Sequence, residues 1–203
     1  MPPVPGSYNE LLGSFPADYV PDVRAETTSA AVLGRSPRGV AIQIPWEAQA
    51  GSKLTIAGLR GEPAWEQLLD ATVVEAEGFL LANAIHEDWS RFVSRDDPAR
   101  LGEVIHMLGT GYGPVDGVLR TGQPAPADRL YRMTSPCVWR AIGVLSDPRP
   151  IDVLFAGLAP GLVGIYQFDF RVPPDWPYPL FNPYCQFSDT LRFLRTAAIE
   201  VRP

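Results

Sequence analysis

Apolar and polar positions alternate most cleanly along IYQFDFRV, Ile165 to Val172. Tyr166, Phe168, Phe170 and Val172 fall on one side of an extended chain, and Ile165, Gln167, Asp169 and Arg171 on the other. A period of two marks a strand with one buried face, so the first set is predicted to face a core and the second solvent. VAIQI, Val40 to Ile44, is a β-branched strand stopped by Pro45, which cannot donate to a ladder. Further strands are predicted at Lys53–Ile56, Ala71–Val74, Phe79–Ala82, Glu103–Leu108, Val138–Val144, Ile151–Phe155 and Ala197–Val201. Glu62 to Leu69 reads differently, as one or two helical turns, from Pro63 near its start and the spacing of Trp65, Leu68 and Leu69. Residues 1–22 read as an irregular Pro-punctuated lead-in, and His86–Arg100 and Val115–Ser135 as loops. Short strands, many turn signals and no helix–strand alternation predict an all-β antiparallel sandwich.

Composition sharpens this picture. The 203 residues include 22 Pro and 18 Gly, which argues against long helices, because an interior Pro costs about 3 kcal/mol and a Gly about 1. A hydrophobic share of 46% is enough for a core. The net charge of −6 argues against a nucleic-acid surface, which needs a basic stripe. No run of 18 apolar residues occurs, so no membrane insertion is expected. The opening MPPVPGSYNELLG has neither the basic nor the apolar region of a signal peptide, which taken literally is cytosolic. Cys137 and Cys185 are the only cysteines, and two readings stay open: two buried thiols, or one disulfide made in an oxidising compartment.

One internal echo bears on domain organisation. Val40–Trp46, VAIQIPW, resembles Phe168–Pro174, FDFRVPP: each is an alternating strand ending in Pro, with a Trp (Trp46, Trp176) close behind. It predicts two related modules, the first spanning 23–78 and the second 79–203. Because its echo lies so near the start of the chain, the first module is expected to be incomplete.

Several stretches carry a family resemblance. They are GEVIHMLGTGYGPV (102–115) followed by TGQPAP (121–126), VLFAGLAPGLVGIYQFDFRVP (153–173), RGVAIQIPWEAQAG (38–51) and DWSRFVSRDDPAR (88–100). Together they resemble the Solibacter-type C-terminal domain of acidobacterial proteins, over most of the chain from about Val23 onward. The resemblance implies tandem immunoglobulin-like modules of the IPT/TIG type, an extracellular or cell-surface setting, and other domains or surface proteins as partners. It implies no cofactor and carries over no catalytic residues.

Candidate chemistry is sparse. Gly109, Gly111 and Gly113 in GTGYG are expected at a sheet crossing rather than a phosphate loop, since no helix follows. Pro160–Gly161 suits the centre of a type II turn. His86, Glu87 and Asp88 do not form H-E-x-x-H and read as a solvated loop, while His106 reads as a solvent-facing or hydrogen-bonded strand residue. Ser36 lacks a nucleophile-elbow context, Cys137 lacks an identifiable base, and Asp88, Ser90, Asp96 and Asp97 lack a calcium-loop spacing. Trp176, Tyr178, Phe181 and Tyr184 are interleaved with Pro174, Pro177, Pro179 and Pro183. They are expected to cover an open sandwich end, with a displayed loop stacking on polysaccharide as the alternative. If Cys185 pairs with Cys137, the bond ties this aromatic segment to the strand starting at Val138. The leading reading is therefore a non-catalytic structural or adhesive module pair, with no metal and no cofactor. A carbohydrate-binding module is the alternative.

Overall fold

The computed structural model describes residues 6–12, 21–58, 65–72, 79–80, 84–134, 138–143, 148–186 and 198–202. Within these the chain is all-β. Strands β1 (Tyr8–Leu12), β2 (Pro21–Ala25), β3 (Thr28–Ser29), β4 (Ala31–Ser36), β5 (Gly39–Gln43), β6 (Lys53–Gly58) and β7 (Trp65–Thr72) lie in the first part of the chain. They form two antiparallel sheets, ordered β1-β5-β4 and β3-β2-β6-β7. Val23 and Ala25 of β2, Val40 and Ile42 of β5, and Leu54 and Ile56 of β6 bury one cluster, so both sheets contribute to a single core.

The second part contains β8 (Phe79–Leu80), β9 (Ala99–Arg100), β10 (Val104–Thr110), β11 (Val138–Ile142), β12 (Arg149–Pro150), β13 (Asp152–Leu158), β14 (Tyr166–Arg171), β15 (Leu180–Gln186) and β16 (Ile199–Arg202). They are ordered β13-β14-β10-β8 in one sheet and β12-β11-β15-β16-β9 in the other. All these pairings are antiparallel except β9 with β16. The core is aromatic. Trp139 of β11 reaches across to Phe168 and Phe170 of β14 at ring-centroid distances of 5.1 and 5.0 Å, and Tyr112 meets Phe168 edge-on at 4.4 Å. Tyr166, Phe168, Phe170 and Val172 are buried while the residues between them are only partly so, the alternation predicted from IYQFDFRV.

The two echoing segments hold equivalent places. β5 and β14 are each flanked on both sides in their sheets, and each runs into a Pro and a Trp that packs against the second core. Pro160–Gly161 forms the expected turn: Gly161 has φ +78°, and the Leu162 N–H bonds the Ala159 carbonyl at 3.2 Å. Gly111 and Gly113 occupy the left-handed region after β10, and the Tyr166 hydroxyl donates to the Gly113 carbonyl. Burial holds the Tyr166 phenol well above its ordinary pKa, so it stays a donor.

Two stretches differ from their sequence reading. Trp65–Thr72 is strand β7, not helical turns, because pairing with β6 satisfies its backbone and overrides a spacing that fits either period. Tyr8–Leu12, inside the stretch read as an irregular lead-in, is β1 and pairs with all of β5. Its pattern hides it: Asn9 turns inward and its carboxamide donates to Ser7 Oγ at 2.7 Å.

The two units meet through part-buried hydrogen bonds. Gln43 accepts from the Gly122 N–H at 2.5 Å and donates to the Gly6 carbonyl at 3.0 Å. Thr110 Oγ1 accepts from the Tyr8 N–H and donates to the Gly164 carbonyl, both at 2.8 Å. The Trp46 N–H donates to Thr121 Oγ1 at 3.1 Å. No helix among the described residues is long and apolar enough to cross a membrane.

Candidate functional site

The polar groups of the second unit gather around residues 84–103, a strap whose His86–Trp89 turn lies over His106 of β10, while Ala84, Val93 and Ala99 enter the core and Ala99–Arg100 is β9 of the other sheet. Ile85 bridges both Phe92 and His106 through backbone pairing. The strap turns back at His86–Trp89, closed by the Trp89 N–H on the His86 carbonyl at 2.9 Å. His106 lies opposite Asp169 in the β10–β14 register, on the face away from the core.

Both histidines of the chain are built into this region. His106 Nδ1 meets Asp169 Oδ1 at 2.6 Å, and its Nε2 meets the Glu87 carbonyl at 3.2 Å. His86 Nδ1 meets Glu103 Oε1 at 2.7 Å, and its Nε2 meets the Asp97 carbonyl at 3.2 Å. A carboxylate and a carbonyl only accept, so both nitrogens of each ring face acceptors. The Ser90 hydroxyl donates to Asp88 Oδ1 at 2.7 Å. The arrangement is one of charge-assisted fastening.

Glu103 anchors the strap. Burial pushes its carboxyl up, but hydrogen bonds from the Arg100 N–H, His86 and the Glu87 N–H outweigh this and hold it below the ordinary carboxylate range. A depressed folded value contributes stability above the unfolded pKa, and that contribution is lost as pH falls through the folded one. Exchange protection of the Ile85 and Val93 amides is therefore expected to fall below about pH 4, with the acid step absent in Glu103→Gln. Identical acid profiles for the two proteins would contradict this.

Beside the histidine lies an open hollow of about 570 Å³, walled by Glu87, Asp88, Arg91, Asp97 and Arg100. Arg91 pairs with Asp97 at 2.5 Å. Among the described residues no group of three or more His, Cys, Asp or Glu is placed to hold a metal ion.

The predicted site residues fall elsewhere. Trp176, Phe181 and Tyr184 are buried, and Tyr178 is partly buried against the same core. This corrects the polysaccharide-stacking alternative at Trp176–Tyr184, because a sugar needs an open ring face and Trp176 is 1% exposed. Pro174, Pro177 and Pro179 lie with Trp176 and Tyr178 in the connection before β15, which folds its rings against the core, and Phe181 and Tyr184 lie in strand β15 itself, with Pro183 beyond the two residues that pair with β16. Cys185 is fully buried and disulfide-bonded; Cys137, the chain's only other cysteine, lies outside the described residues. Ser36 sits in the β4–β5 turn, where its Oγ accepts from the Arg38 N–H at 3.2 Å.

No protein-family model matches the chain, and a comparison with curated proteins found no significant match.

Sequence reasoning passed over Trp89 and the His86–Glu103 and His106–Asp169 pairs. His86–Asp88 looked solvated because neighbours on an extended chain diverge, yet the fold supplies Asp97 and Glu103 from further along. One signal was present: Asp169 occupies the polar phase of the strongly alternating β14, and His106 is the one polar residue within VIHML.

Proposed function

We propose that the chain is a non-catalytic, structural module pair that holds other domains of a bacterial surface or secreted protein at a fixed spacing and presents them for protein–protein contact. The observation that carries this reading is the junction. Gln43, Thr110 and Thr121 bond backbone groups across it, and Trp46 packs against the second core. A spacer needs a joint that does not swivel, and part-buried polar contacts with fixed directions supply rigidity. The disulfide at Cys185 supports an oxidising compartment outside the cytosol. The resemblance of 102–126 and 153–173 to the Solibacter-type domain, with its immunoglobulin-like IPT/TIG modules, points the same way. The test is whether the two units share one orientation in solution, read from residual dipolar couplings; a swivelling junction contradicts the proposal.

A further inference from the structure

We propose that the strap carries a carbohydrate platform centred on Trp89, suited to a neutral polysaccharide. Trp89 has φ +60°, a left-handed backbone that is costly for a bulky side chain. That strain places a large apolar ring where it is 48% exposed, so folding gains little from it. The ring is nevertheless held firmly. It stacks on His106 at 4.1 Å between centroids and 15° between planes, and His106 is itself fastened by Asp169 and the Glu87 carbonyl. With one face covered by His106, the exposure falls on the opposite face and the rim.

A flat ring fixed before binding offers the apolar C–H face of a pyranose a partner at little entropic cost. The hydroxyl rim of a sugar needs donors and acceptors nearby. Glu87, Asp88 and Arg91, within two residues of Trp89, supply them, and they also wall the hollow of about 570 Å³ beside His86, a volume in the range of small-molecule sites. Phe92, three residues further along the strap, is also exposed, at 57%. Carboxylates at Glu87, Asp88, Asp97 and Glu103 outnumber the cations Arg91 and Arg100 there, which disfavours anionic glycans. A protein partner fits less well, since it would need about 800 Å² of surface per side rather than two rings edged by charge.

The experiment is affinity electrophoresis of the full chain through gels containing soluble β-glucan, xylan, galactomannan or starch, with alginate as the anionic probe. At least one neutral polymer is expected to retard the wild type. Trp89→Ala should weaken that retardation tenfold or more, and Trp89→Tyr, which keeps a flat ring, should retain most of it. Protection of the β10 and β14 amides verifies folding of each variant. If Trp89→Ala does not fold, quenching or shifting of wild-type tryptophan emission by the retarding polymer, lost in Trp89→Tyr, reads the same contact. Absence of retardation by every neutral polymer, retardation unchanged in Trp89→Ala, or preference for alginate overturns the proposal. None of these outcomes touches the junction, so the spacer reading stands or falls separately.

Discussion

Replacing Trp176 by alanine is expected to lower the unfolding free energy by about 3–5 kcal/mol. The indole is 1% exposed and meets Phe181 and Tyr178 edge-on at 5.2 and 5.5 Å. Its Nε1–H donates to the Leu180 carbonyl at 3.0 Å, at the start of β15. Arg149 lies over the ring at 5.8 Å while paired with Asp175. Truncation therefore leaves a cavity in an aromatic core and removes the donor from a carbonyl that fixes the turn into β15. Urea titration should show a lower midpoint with an unchanged slope. A cost below about 1 kcal/mol would mean that Trp176 is displayed rather than buried.

Gly164→Ala should be the other severe substitution, at about 2–4 kcal/mol. Gly164 has φ +66°, and a Cβ there would lie 2.7 Å from the Gly6 carbonyl oxygen and 2.8 Å from the Tyr8 nitrogen. Both atoms are backbone of the first unit, so relief requires moving one unit against the other. Gly161→Ala is the control. Its φ of +78° is equally left-handed, but a Cβ there meets nothing within 4 Å. That variant should lose only the backbone term, about 1 kcal/mol. The difference between the two isolates the junction, and in Gly164→Ala the Tyr8 amide should also exchange faster. Equal costs would show that the units do not press on each other there.

The sequence carried the fold furthest where one face of a strand is wholly apolar. Tyr166, Phe168 and Phe170 announce β14, and Val40 and Ile42 announce β5, because a period of two leaves no competing placement. It carried least where polar residues turn inward or prolines interrupt. Asn9 and Ser7 are buried beside β1 by hydrogen bonds that no hydrophobic pattern reveals. Pro183 sits inside β15 where its missing donor is not called on. Trp65, Leu68 and Leu69 fit a helix locally and become a strand only because β6 is there to pair. The strap was illegible for a related reason. Asp169 lies 63 residues from His106, and only the β14–β10 register brings them together. The strain at Trp89 has no sequence signature, since nothing about a lone Trp in a polar loop specifies a left-handed backbone.

The most direct measurement of the account is the set of backbone amide residual dipolar couplings in a weakly aligned sample. Couplings from β5 and β6 in the first unit and from β10 and β14 in the second are fitted separately. The account predicts one alignment tensor, equal in magnitude and direction for both units in the arrangement fixed by Gln43, Thr110 and Gly164. Two tensors of different magnitude, the mark of units that reorient about the junction, would contradict it.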